Sequence, residues 1–133
     1  MNKYAQAALE AVRLYVNSRA ESPRAAWDQA TTRLFGEGTA SQEKGCPRDA
    51  FLGLCEEGLV RGIPPGQYCK SVLNKKYAMA ALPLLRGRPS LSGEHIQLWR
   101  LVMHGRPKQH NSQMDVVAAL WDAHLIVVRD TRT

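Results

Sequence analysis

The chain has 133 residues, enough for one compact domain with its own core. An apolar share of 44% and a charged share of 23% are ordinary for a globular protein, and no apolar run approaches the roughly 18 residues of a membrane span. The net charge of +6 belongs to the second half: residues 1–66 carry eight Lys/Arg and eight Asp/Glu, and residues 67–133 carry ten and four.

A soluble, cytoplasmic chain is expected. Met1-Asn2-Lys3-Tyr4-Ala5-Gln6 opens no signal-peptide apolar region. Three cysteines without a Cys-x-x-Cys spacing argue against a disulfide framework or a structural zinc site. His95, His104, His110 and His124 have no ligand spacing, so neither a metal nor a cofactor is expected.

Residues 3–16 read as the first helix, with Ala5, Ala8, Leu9, Val12, Tyr15 and Val16 on one stripe. Ser22 as N-cap and Pro23 in the first turn open the second, which buries Trp27, Ala30, Leu34 and Phe35 and stops at Gly36. The loop 36–45 carries Lys44 but lacks the Gly-Lys-Ser/Thr of a phosphate-binding loop. It leads to a third helix marked at both ends. Pro47 suits its first position with Cys46 as N-cap, and Gly58 suits the left-handed place past its end, with Leu59 folding back on Leu54. Ala50, Phe51, Leu54 and Cys55 share its apolar face. Glu56 and Glu57, unfavourable at a helix C-terminus, are expected to pair with Arg61.

Pro64, Pro65 and Gly66 break the chain. Residues 74–86 read as a fourth helix with Ala78, Ala81, Leu82 and Leu85 inward and a kink or early end at Pro83. Residues 92–104 read as a fifth, with Ile96, Trp99, Val102 and Met103 inward. Ser112 is expected to cap a sixth, with Val116, Val117, Leu120 and Trp121 inward and His124 in the place of Gly58. The run 125–128 is β-branched and would pair as a short strand with 59–61.

Asp49–Val60 aligns without gaps on Asp115–Ile126, pairing Leu54 with Leu120, Leu59 with Leu125 and Val60 with Ile126. Tyr4–Leu9 matches Tyr77–Leu82, and Trp27 answers Trp99. The expectation is therefore an all-α single domain, 1–133, of six helices in two pseudo-symmetric three-helix repeats, about 4–63 and 77–129, joined by a linker of about 64–76.

Two functional readings follow from different chemistry. The first is a non-enzymatic binding or adaptor module. Its basic second half, Lys70, Lys75, Lys76, Arg86, Arg88, Arg106 and Lys108, would hold an acidic protein or a nucleic-acid backbone. The plain competitor is that this charge serves solubility, and nothing argues against a homodimer. No two helices are joined as a helix-turn-helix requires, so nucleic-acid contact would be driven by the backbone. The second reading centres on Cys46 as a thiol nucleophile or anion site. At a helix N-terminus beside Lys44 and Arg48 it would favour a thiolate, with His104 or His110 as a base. Its plain competitor is a small capping residue.

Tyr4-Ala5-x-x-Ala8, Gly38-Thr39-Ala40-Ser41-Gln42, Lys44-Gly45-Cys46-Pro47-Arg48, the block Ala50 to Val60, and Asn111 to Val117 resemble a small bacterial family of domains of unknown function. The resemblance covers nearly the whole chain. It implies a stand-alone bacterial protein and assigns no activity and no catalytic residue.

Overall fold

Short polar side chains open three of the helices by accepting otherwise unpaired backbone N–H groups. Asn2 Oδ1 accepts from Tyr4 and Ala5 at 2.7 and 3.2 Å, Ser22 Oγ from Ala25 at 3.0 Å, and Ser71 Oγ from Asn74 at 3.3 Å. The computed structural model describes residues 1–127. It is an all-α single domain: α1 Lys3–Val16, α2 Pro23–Phe35, α3 Gly45–Glu56, α4 Val72–Gly87, α5 His95–Met103 and α6 Gln113–Asp122, with a 3-10 turn at Pro89–Gly93.

Several boundaries differ from expectation for identifiable reasons. Lys44, not Cys46, is the cap of α3, and it makes no side-chain cap bond, so Cys46 lies inside the first turn. Ser71 captures Asn74, so α4 starts at Val72 rather than at residue 74, inside the expected linker. It also runs through Pro83 to Gly87 instead of ending early. Residues 89–93 wind as a 3-10 turn, which shortens the fifth helix to 95–103. Ser112 takes a left-handed conformation at φ 65° and makes no cap bond. The His110 ring replaces it, accepting the Met114 N–H on Nε2 at 3.0 Å.

Helices α1, α3 and α6 stop in the same way, as α5 does at His104 and Gly105. Ser18, Gly58 and His124 stand just past α1, α3 and α6 with φ of 57, 71 and 59°. The next residue then bonds back across the last turn: Arg19 N–H to Leu14 O at 2.8 Å, Leu59 N–H to Leu54 O at 3.0 Å and Leu125 N–H to Leu120 O at 2.9 Å. These are Schellman ends. They aim residues 59–61 and 125–127 at one another. Arg61 N–H donates to Leu125 O and Val127 N–H to Leu59 O, both at 2.8 Å, around an antiparallel bridge of Val60 with Ile126. The expected short β pair is thus one bridge, and residues 128–129 of the expected strand and repeat lie outside the described residues.

The core runs through all six helices, with Trp27, Phe51, Leu54, Leu82, Leu85, Leu98, Met114 and Leu120 fully buried. The Trp27 and Phe51 rings stack at 5.4 Å, and Tyr77 meets Trp99 edge-on at 5.3 Å. Val16 and Ile96, expected inward, are 53% and 57% exposed, while Trp121 is only partly covered. α1 packs on α2 and α6, and α4 packs on α3 and α5.

The closest approach between helices is at Gly53. A Cβ built there would lie 2.8 Å from Lys75 Cα and 2.6 Å from its Cβ, well inside any normal contact. With α4 this close, Lys75 Nζ reaches Glu56 at 2.7 Å and Glu57 at 2.8 Å. The two glutamates therefore pair with Lys75 and not with Arg61, whose Nε donates instead to His124 O at 3.0 Å. Glu56 also accepts from the Tyr68 and Cys69 N–H groups at 2.9 and 3.1 Å, which fixes the linker. The Lys75 ammonium, followed by the Cys69 N–H, holds the Glu56 carboxyl below its usual range.

Two stability effects follow. Gly53→Ala should destabilise the fold by about 1–3 kcal/mol, because α4 must shift or strain to clear the added methyl; urea unfolding of the two proteins reads this directly. His124→Gly should stabilise it by about 0.5–1 kcal/mol, since left-handed backbone costs a non-glycine residue more than glycine loses in chain entropy. A lower unfolding midpoint for His124→Gly would contradict that account.

Candidate functional site

On α5 the residues Ile96, Trp99, Arg100 and Met103 recur at i, i+3, i+4 and i+7, so they form one stripe. At the end of this helix His104 and Gly105 are both left-handed, with φ of 52 and 77°, and fold the chain back alongside the stripe. The result is a groove of about 450 Å³ between α5 and Gly105, Arg106, Pro107, Lys108 and His110.

Its cations are held in place. Arg106 donates both its backbone N–H and its Nε to Met103 O at 3.0 Å, over a helix C-terminus where the dipole favours positive charge. Lys108 is tied at both ends. Its carbonyl accepts from Trp99 Nε1 at 2.8 Å. Its Nζ donates to the Tyr77 hydroxyl at 3.0 Å and stands 4.8 Å from the centre of that ring. Arg100 is exposed on the opposite wall. Among the described residues, no carboxylate lines the groove.

His110 closes one end. Its ring lies 5.2 Å from Trp99 and caps α6 through Nε2. Asp115, in the first turn of α6, stands 4.0 Å from the same nitrogen and 2.8 Å from His95 Nδ1, and His95 Nε2 reaches Ser92 O at 2.8 Å. Burial lowers the His110 pKa; Asp115 opposes this, and His95 and Lys44 add to it. The neutral ring is the form that can accept the Met114 N–H.

Of the cations singled out from sequence, only Arg106 and Lys108 meet in this groove, together with His110, the candidate base. Lys75 is spent between Glu56 and Glu57, and Arg88 pairs with Glu94 at 3.3 Å. Lys70, Lys76 and Arg86 are exposed on the linker and α4. Arg48 turns onto Asp49 at 3.1 Å, and Lys44 stands 5.8 Å from the centre of the Tyr4 ring. Cys46 is half-buried and bonds to no histidine among the described residues. Burial raises the thiol pKa of both Cys55 and Cys69. Arg100 and Ile96 as groove residues escaped the sequence reading. Their signal was the α5 periodicity itself, which admits the stripe 96/99/100/103 as readily as an inward face.

A family model matches residues 1–127. The chain belongs to DUF6979, a family of unknown function. No curated protein and no solved structure matches it. The match takes in every element that builds the groove of this DUF6979 chain. Among the described residues no helix is long and apolar enough to cross a membrane, and no group of three His, Cys, Asp or Glu is placed to hold a metal.

The His110 cap makes stability depend on pH with a definite sign. The folded chain binds a proton at His110 less readily than the unfolded chain, so the cap's contribution is full above the ordinary histidine value of about 6.5 and fades as pH falls through the lower folded value. His110→Gln, which can accept from Met114 and cannot titrate, should flatten this fall in melting temperature between neutral and mildly acidic pH. An unchanged slope in the variant would remove His110 as its source.

Proposed function

We propose that this DUF6979 chain is a small binding or adaptor module that holds an anionic partner, an acidic protein or a nucleic-acid backbone, in the groove between α5 and the 104–110 loop. The observation that carries the reading is the convergence of Arg100, Arg106 and Lys108 on one groove with no carboxylate in its lining among the described residues. Cations set in an apolar cleft raise the local concentration of anions and fix their approach. The three free cysteines support placing it in a reducing compartment, the cytoplasm.

The two halves are further read as copies of one three-helix unit. Val60 and Ile126, matched by the internal alignment, are the residues that bridge, and the first helix of each half packs on the last helix of the other, α1 on α6 and α4 on α3. No observation favours the thiol-centred alternative at Cys46, which lacks both a bonded base and the cap position.

Binding of polyglutamate and of a mixed-sequence oligonucleotide, followed by fluorescence anisotropy, tests the proposal. Wild type should bind at low salt and lose affinity as salt rises. Arg100→Glu with Arg106→Glu should weaken binding by about tenfold or more, because reversed charges then face the anion. Binding to neither probe at low salt, or equal binding by the double variant, would remove the groove from consideration.

A further inference from the structure

The apolar half of the same groove discriminates between anionic partners. Ile96 is 57% exposed, one helical turn before Arg100, and Pro107 is exposed on the facing loop, while Met103 beneath them is buried. A large aliphatic side chain held open to solvent beside two guanidinium groups and an ammonium has nothing to offer a phosphate backbone. It matches an apolar side chain flanked by carboxylates. The aromatic residue in the groove is not free to receive a base: Trp99 is 4% exposed, with its ring against Tyr77 and His110 and its N–H on Lys108. Proteins that hold single-stranded nucleic acid without sequence preference stack bases on exposed aromatic faces, and this lining has none.

Resting on the anion-binding reading above, we infer that the groove takes an acidic peptide segment of a partner protein, seating one apolar residue on Ile96 while its flanking carboxylates meet Arg100, Arg106 and Lys108. Arg106 and Lys108 are pre-set by Met103 O and Tyr77, so of the three cations only Arg100 has to be ordered when the peptide arrives. The apolar contact supplies selectivity that charge alone lacks.

The test compares two fluorescein-labelled peptides of Asp, Glu and Ser, one with a central leucine and one with glycine in its place, against an oligonucleotide of equal charge. The full-length chain should bind the leucine peptide about tenfold more tightly than the glycine peptide, as partial burial of one leucine predicts. Ile96→Ser, a change at an exposed position, should erase that preference, so that the variant binds the two peptides alike. Arg100→Glu with Arg106→Glu should weaken both. Equal affinity for the two peptides, or a leucine preference that survives Ile96→Ser, overturns the inference. Tighter binding of the oligonucleotide, lost in the double charge variant and indifferent to Ile96→Ser, overturns it too while leaving the anion-binding proposal standing.

Discussion

A missing side chain sets most of this structure. Because Gly53 has no Cβ, Lys75 lies directly on α3, and its ammonium reaches both carboxylates at that helix's end. Glu56, held ionised by that contact, grips the linker through two backbone N–H groups and so fixes where α4 starts. α4 then carries Tyr77 to the place where its hydroxyl receives Lys108. Lys108 in turn anchors the loop that forms one wall of the groove. An atom-scale steric condition on α3 thus propagates, through one ion cluster and one helix, to the surface that holds the cations.

That propagation explains why net charge is a poor map of where the cations gather. Ten basic residues in the second half suggest a broad positive face. Packing breaks it up: Lys75 is internal to the α3–α4 contact, Arg88 meets Glu94, and Lys70, Lys76 and Arg86 are spread over the linker and α4. Among the described residues, what remains concentrated is a short stretch around the end of α5. There Arg106 and Lys108 are anchored by main-chain and aromatic partners. Charge placement, more than charge count, decides where a polyanion settles.

The helices were legible from sequence because their signals are local. Ser22, Pro23, Gly36 and Gly58 mark ends through their own backbone preferences, and α1 and α2 were read to within a residue. The same local logic misplaced the cap of α3, where Lys44 rather than Cys46 takes the position without a side-chain bond. It also missed His110 as the cap of α6, because that bond depends on how the 104–110 loop returns past Trp99. Nothing local distinguishes Gly53 from any mid-helix glycine, and its meaning resides in Lys75, 22 positions further on. The groove was half legible: Arg106 and Lys108 stood out by type, whereas Arg100 and Ile96 required knowing which side of α5 faces the core.

The crossed packing of the two halves has a consequence for folding. In a solenoid each unit stacks mainly on its immediate neighbour, so stability accumulates unit by unit. Here α1 completes its burial only when α6 arrives, and α4 is seated on α3. The β bridge between Val60 and Ile126 then locks the two helix ends together. One apolar cluster draws on all six helices, so the two halves share a core. The chain gains its stability in one cooperative step that needs α6 in place for both halves.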